Sequence, residues 1–198
     1  MNYSKKTFCI LVSSIIILGS LSCSSPTSEL EEHKELLSVF FTTFSDLDHP
    51  VFYKTISKEK VTDYLQDGFS VKNVSFLEHG TDSLSMYFGE EICTSIVQKA
   101  QNYNQYILTE KDTFGNPVVK EEDIPEFVKN RTTIPPPFNY QGFTNVNFVS
   151  TPIITQNRGI ILLHSFRGDV KIGKGVKIYF FIKNVKDGSW NLVDSGAV

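Results

Sequence analysis

The C-terminal third of the chain leaves few folds open. Val146 to Thr155, Ile160 to Phe166, Val176 to Lys183 and Trp190 to Asp194 are four runs rich in Val, Ile and Phe, each of strand length. Asn157-Arg158-Gly159 and Lys186-Asp187-Gly188 stand between them as turns. The second contains the Asp-Gly pair that favours a tight hairpin, because both residues tolerate positive φ. Connections this short make consecutive strands antiparallel neighbours. The pattern therefore predicts a meander, with Trp190 and, by alternation, Leu192 on one face of its last hairpin.

The preceding part of the chain changes period. Leu30, Leu37, Phe40, Phe41 and Phe44 recur at helical spacing, with Glu32, Lys34 and Glu35 largely opposite. Ser28-Glu29-Leu30-Glu31 has the spacing of a capping box, so an amphipathic helix is expected from there to about Asp46, stopped by Asp48-His49-Pro50. A short helix is expected over Ser57 to Gln66, ended by Gly68. Phe69 to Phe76 alternates like a strand, and Ser83 to Phe88 is its expected partner. Ile92, Ile96, Ala100, Tyr103 and Ile107 mark a third helix of about four turns. Lys111 to Asn130 is polar and carries no clear period. Helices first and a meander afterwards make an α+β domain, with N-terminal amphipathic helices packed on a C-terminal antiparallel β-meander.

Ahead of all this the chain switches character at one residue. Lys5 and Lys6 open a positive segment, Phe8 to Leu18 is apolar but for Ser13 and Ser14, and Gly19, Ser20 and Ser22 are small. That is the layout of a secretory signal peptide. Its apolar run is about 11 residues, whereas a helix needs roughly 20 to cross a bilayer. Ser20-Leu21-Ser22 alone fits an ordinary small-x-small cleavage site, which would release a secreted protein. Followed by Cys23, the same residues resemble the lipobox of bacterial lipoproteins, with Ser20 where that family usually has Leu. The resemblance implies that Cys23 receives a diacylglyceryl group and becomes the first mature residue. The Ser-Ser-Pro-Thr-Ser stretch behind it then serves as a tether. The expected division is a signal peptide over 1–22, lipidated cysteine and tether over 23–28, and one α+β domain over 29–198. Two or more acyl chains hold a protein stably, so the expected partner is the membrane itself, through the acylated N-terminus.

Charge and cysteine content narrow the remaining classes. The 198 residues carry a formal net charge of −3. Lys5 and Lys6 are the only charges ahead of Cys23, so the chain beyond it has 17 basic and 22 acidic residues, a net of −5. A mildly acidic chain with no basic cluster argues against nucleic acid as a partner. Cys9 leaves with the signal and Cys23 is committed to lipid, which leaves Cys93 without a disulfide partner. It sits in an apolar helical pattern, as a small buried hydrophobe would.

The meander also resembles the closing sheet of uncharacterised Bacteroidetes-type lipoproteins. Those pair an S-x-P-I strand with a terminal K-x-x-G-x-W-x-L-V hairpin, here Ser150, Pro152 and Ile153, then Lys186, Gly188 to Trp190, Leu192 and Val193. The likeness is structural and brings no catalytic residue. In the familiar sorting rules of such lipoproteins, Ser24 and the absence of an acid directly after Cys23 imply the periplasmic face of the outer membrane.

Motifs for chemistry are few. His33, His49, His79 and His164 stand far apart, with no partner at metal-ligand spacing, and no nucleophile elbow, phosphate loop or dinucleotide fingerprint occurs. Glu90-Glu91 suits a helix N-terminus, and Glu121-Glu122-Asp123 suits a solvated turn. No catalytic residue, metal or cofactor is assigned. Thr132 to Phe143 is different: three successive prolines favour an extended path, and Phe138, Tyr140 and Phe143 interleave with it. Those aromatics either tuck under a crossover or form a binding surface. The expectation is an anchored envelope protein acting as a binding or assembly module for a protein, glycan or small ligand. The alternative is an envelope hydrolase whose site converges only in three dimensions.

Overall fold

The computed structural model describes residues 26–44, 47, 50–66, 69, 75–76, 85–120, 122, 145–167 and 176–197. The chain divides into two compact units, Met1–Glu31 and Glu32–Val198, and the second is the α+β body. Its elements are α1 (Pro26–Thr43, its first turn and a half in the first unit), β1 (Val51–Phe52), α2 (Lys58–Gln66), β2 (Ser75–Phe76), α3 (Glu90–Ala100), β3 (Val118–Val119), β4 (Asn145–Val149), β5 (Ile153–Thr155), β6 (Arg158–Arg167), β7 (Val176–Lys183) and β8 (Trp190–Ala197).

The strands form one mixed sheet in the order β2-β8-β7-β6-β4-β1-β3, with β5 also paired to β6. The meander is present as β6-β7-β8, antiparallel throughout. The tight connection after Lys183 closes with Gly188 at φ +76°, a conformation for which a side chain would be strained. What the residue pattern did not foretell is β1, two residues long, which pairs in parallel with both β3 and β4.

Helices cover both faces of the sheet. On one face α1 lays Leu36, Leu37, Phe40 and Phe41 against Ile161, Leu163, Tyr179, Phe181 and Trp190. On the other, Val61 and Leu65 of α2 and Cys93, Ile96 and Ala100 of α3 meet Ile160, Leu162, Ile178 and Phe180. Alternate residues of β6 and β7 thus enter two separate cores. This explains why Ile160-Ile161-Leu162-Leu163 is an unbroken apolar run: a strand buried on both faces has no polar side to show.

Several boundaries move, each for a local reason. Val146 to Thr155 is two strands rather than one. Pro152 has no N–H to give, and at the break Ser150 turns its hydroxyl inward to accept the Leu162 N–H at 2.9 Å. Its own N–H still reaches the Leu162 carbonyl, so β4 and β5 lie end to end along β6. The hairpin between β5 and β6 turns at Gln156 and Asn157, with Gln156 at φ +54°, and Gly159 lies inside β6. The last strand runs on to Ala197, with a register slip opposite Phe180 and Phe181. Trp190 is buried, whereas Leu192 is 37% exposed.

The third helix stops at Ala100, two turns short of its apolar pattern. The chain then turns, and the Tyr103 hydroxyl accepts the buried Thr151 N–H at 2.6 Å. Ile107 belongs to an extended segment bridged to Lys54. Residues 85–87 form a helical turn instead of a strand, and the partner of β2 is β8. Within Lys111 to Asn130 lie a turn and then β3. The first helix begins at Pro26, so Ser28 stands inside it, and it ends at Thr43.

Candidate functional site

Cys23 and the aromatics Phe138, Tyr140 and Phe143 lie outside the described residues, as do His49 and His79. His33 and His164 are on different elements. The His33 ring meets Tyr106 edge-on, and His164 Nδ1 lies 3.3 Å from the Tyr64 hydroxyl with Phe148 alongside. Among the described residues no group of three or more His, Cys, Asp and Glu side chains is placed to hold a metal. Glu90 and Glu91 do occupy the first turn of α3, where they favour the helix dipole.

A concavity built by described side chains opens between the end of α2 and the start of α3. It encloses about 350 Å³ and is lined by Leu65, Gln66, Phe69, Glu90, Cys93, Thr94 and Val97. The amphipathic periods of the two helices create it: Leu65 and Cys93 point to the sheet, and Gln66, Glu90 and Thr94 stand at the solvent edge. The Cys93 thiol donates to the Phe88 carbonyl at 3.1 Å, and Thr94 donates to the Glu90 carbonyl at 2.7 Å. Burial and that bond give Cys93 the structural role its pattern suggested. The size is at the lower end of small-ligand pockets.

A second feature is a loop that the sequence did not single out. Its base is a polar junction: the Thr55 and Thr151 hydroxyls are 3.0 Å apart. Thr151 donates to the Asn104 carbonyl at 2.8 Å, and the Tyr106 N–H donates to Thr55 at 2.8 Å. Burial pushes the Tyr103 phenol above its ordinary pKa, so it stays neutral through physiological pH. From this base the chain makes a turn over 110–115, closed by the Gly115 N–H on the Glu110 carbonyl. Phe114 holds φ +52° there and is 54% exposed. A bulky side chain in the left-handed region costs about 1–2 kcal/mol, which glycine would avoid. The local signal was Gly115, itself at φ +87°, which marks the turn directly after Phe114.

A third constellation ties α1 to the sheet. Lys183 Nζ lies 2.9 Å from Glu32 and 3.4 Å from Glu35, and 5.4 Å from the centre of the Trp190 ring. Burial opposes the charge on Lys183, but the hydrogen bond to Glu32 and the charges of both carboxylates outweigh it and hold its pKa above the ordinary value. Comparison with protein-family models, with curated proteins and with solved structures finds no match to this chain.

Proposed function

We propose that the chain is a lipid-anchored cell-envelope protein, acylated at Cys23, whose α+β body serves as a binding or assembly module. The observation that carries this reading is the seam at Cys23: a signal-like segment ends there in small residues, and a hydrophilic stretch begins. Ser24 directs the anchored protein to the periplasmic face of the outer membrane, as the lipoprotein sorting rule implies. The expected partner is an envelope protein, glycan or small ligand, held by Phe138, Tyr140 and Phe143 of the proline-rich segment. Prolines restrict such a segment before a partner arrives, which lowers the ordering cost of association.

Metabolic labelling with an alkyne-bearing palmitate analogue tests the anchor. The wild-type chain takes up label and partitions into detergent, and Cys23→Ala does neither. Label retained by Cys23→Ala would sink the reading.

A further inference from the structure

Two of the most exposed apolar side chains of the described body are Val185, 84% exposed, and Met86, 70% exposed. Both belong to one end of the sheet. Val185 is in the turn that joins β7 to β8. Met86 precedes Tyr87, whose carbonyl accepts from Arg158 Nε at 2.9 Å. Arg158 is the first residue of β6 and pairs with Ile182 near the end of β7. The Lys183 N–H donates to the Asn157 carbonyl, which joins the two hairpin turns side by side. Lys183 also receives Glu32 and Glu35, so the chain enters the body at this same end.

That point of entry restricts what a tether at Cys23 can reach. From Glu32 back to Pro26 the chain is helical and rises about 1.5 Å per residue. Three further residues to Cys23 add at most about 3.6 Å each. A bilayer holding Cys23 therefore lies within about 20 Å of Glu32. The eight residues of β7 span about 26 Å, so the far end of the sheet stands more than that tether length away from the entry point.

Resting on the lipid-anchor reading, we infer that the sheet end bearing Val185 and Met86 is the membrane-contacting surface of the body, and that both side chains enter the headgroup–acyl boundary of a neutral bilayer. The charges around them are mixed, with Lys183 and Lys186 against Glu32, Glu35 and Asp187, so the contact does not select anionic lipid. Two apolar side chains are too little for stable binding of a free protein. They orient a tethered one, because the tether makes the encounter intramolecular.

The test uses the full chain purified from membranes and placed on phosphatidylcholine vesicles with brominated acyl chains. Single tryptophans replace Val185, Met86 or Phe114, and the buried Trp190 serves as a common background. Phe114 is the control because it precedes β3, and Val118 pairs with Val51, which pairs with Asn147; Asn147 faces Ser165, near the opposite end of β6. Val185→Trp and Met86→Trp should be quenched at least about 2-fold more than Phe114→Trp, and adding phosphatidylglycerol should leave the ratio unchanged. Equal quenching at the three positions, or the strongest at Phe114→Trp, overturns the orientation. Flotation of wild type against Cys23→Ala reads the anchor separately. If wild type fails to float, the anchor reading falls. Cys23 of a Cys9→Ser, Cys93→Ala chain is then coupled to a maleimide lipid, and the same quenching ratio still decides the orientation.

Discussion

At Gly159 the sheet and α1 are separated by little more than a hydrogen atom. A Cβ there would stand 2.6 Å from Leu36 Cδ2 and 3.3 Å from Trp190 Cζ3. Leu36 is fully buried and Trp190 nearly so, which leaves the leucine little room to withdraw. Glycine is present at this strand position for close approach and not for a turn, the more common meaning of an Asn-Arg-Gly stretch. Gly159→Ala is expected to cost about 1–3 kcal/mol through overpacking. Leu36→Ala is expected to cost about 2–5 kcal/mol through the cavity it leaves. In the double variant the new methyl occupies part of that cavity, so the combined loss in urea unfolding should be smaller than the sum. Strict additivity would show that the two positions are not in contact.

At the scale of the element, α1 is held by an apolar stripe and by the ion pairs on Lys183. The pKa of Lys183 is raised in the folded protein, so its contribution is fully present below the unfolded value and is lost as pH rises through the folded one. The pKa of Tyr179, which meets Phe40 of α1 and Phe44 just past its end, is also raised, by burial, and its contribution is lost in the same direction. Stability should therefore fall above about pH 10. Glu32→Gln is expected to cost less than about 1 kcal/mol at neutral pH, as a partly exposed pair does. It should also flatten the alkaline slope measured by denaturation between about pH 9 and 11. A slope identical to wild type would assign the whole effect to the tyrosines. The helix itself was legible: Leu37, Phe40, Phe41 and Phe44 stand in the sequence at the period that packs them. So were β6, β7 and β8, since long β-branched and aromatic runs with short turns have few alternatives. The two-residue strands β1 and β3 were not, because their pairing depends on distant neighbours and carries no local period. The end of α3 was hidden by Tyr103, whose helical spacing is overridden by its bond to Thr151. Of the features around the candidate sites, Cys93 was legible as a buried apolar residue. The Lys183 clamp was not, because it joins residues about 150 positions apart.

For the whole molecule, the sheet's central strands are apolar on both faces, which makes each helical layer obligatory. β6 and β7 supply Ile161, Leu163, Tyr179 and Phe181 to the α1 side, and Ile160, Leu162, Ile178 and Phe180 to the other. Removing either layer would open one whole side of a strand pair to water. Burial of Leu36, Leu37, Phe40 and Phe41 contributes about 1.5–3 kcal/mol each, or about 6–12 kcal/mol together. Domains of this size are stable by about 5–15 kcal/mol in total, so the loss of α1 is comparable with the entire margin. The consequence distinguishes two truncations that differ by one helix. A chain beginning at Pro26 retains α1 and should melt cooperatively, close to the full chain. A chain beginning at Phe44 should show no cooperative transition and should bind a hydrophobic dye such as ANS, as collapsed states with exposed apolar surface do. Calorimetry and dye fluorescence on the two chains measure this directly. A sharp, native-like melt from the shorter chain would mean that the α1 face of the sheet can be sealed without the helix, and the two-sided account of the fold would have to be abandoned.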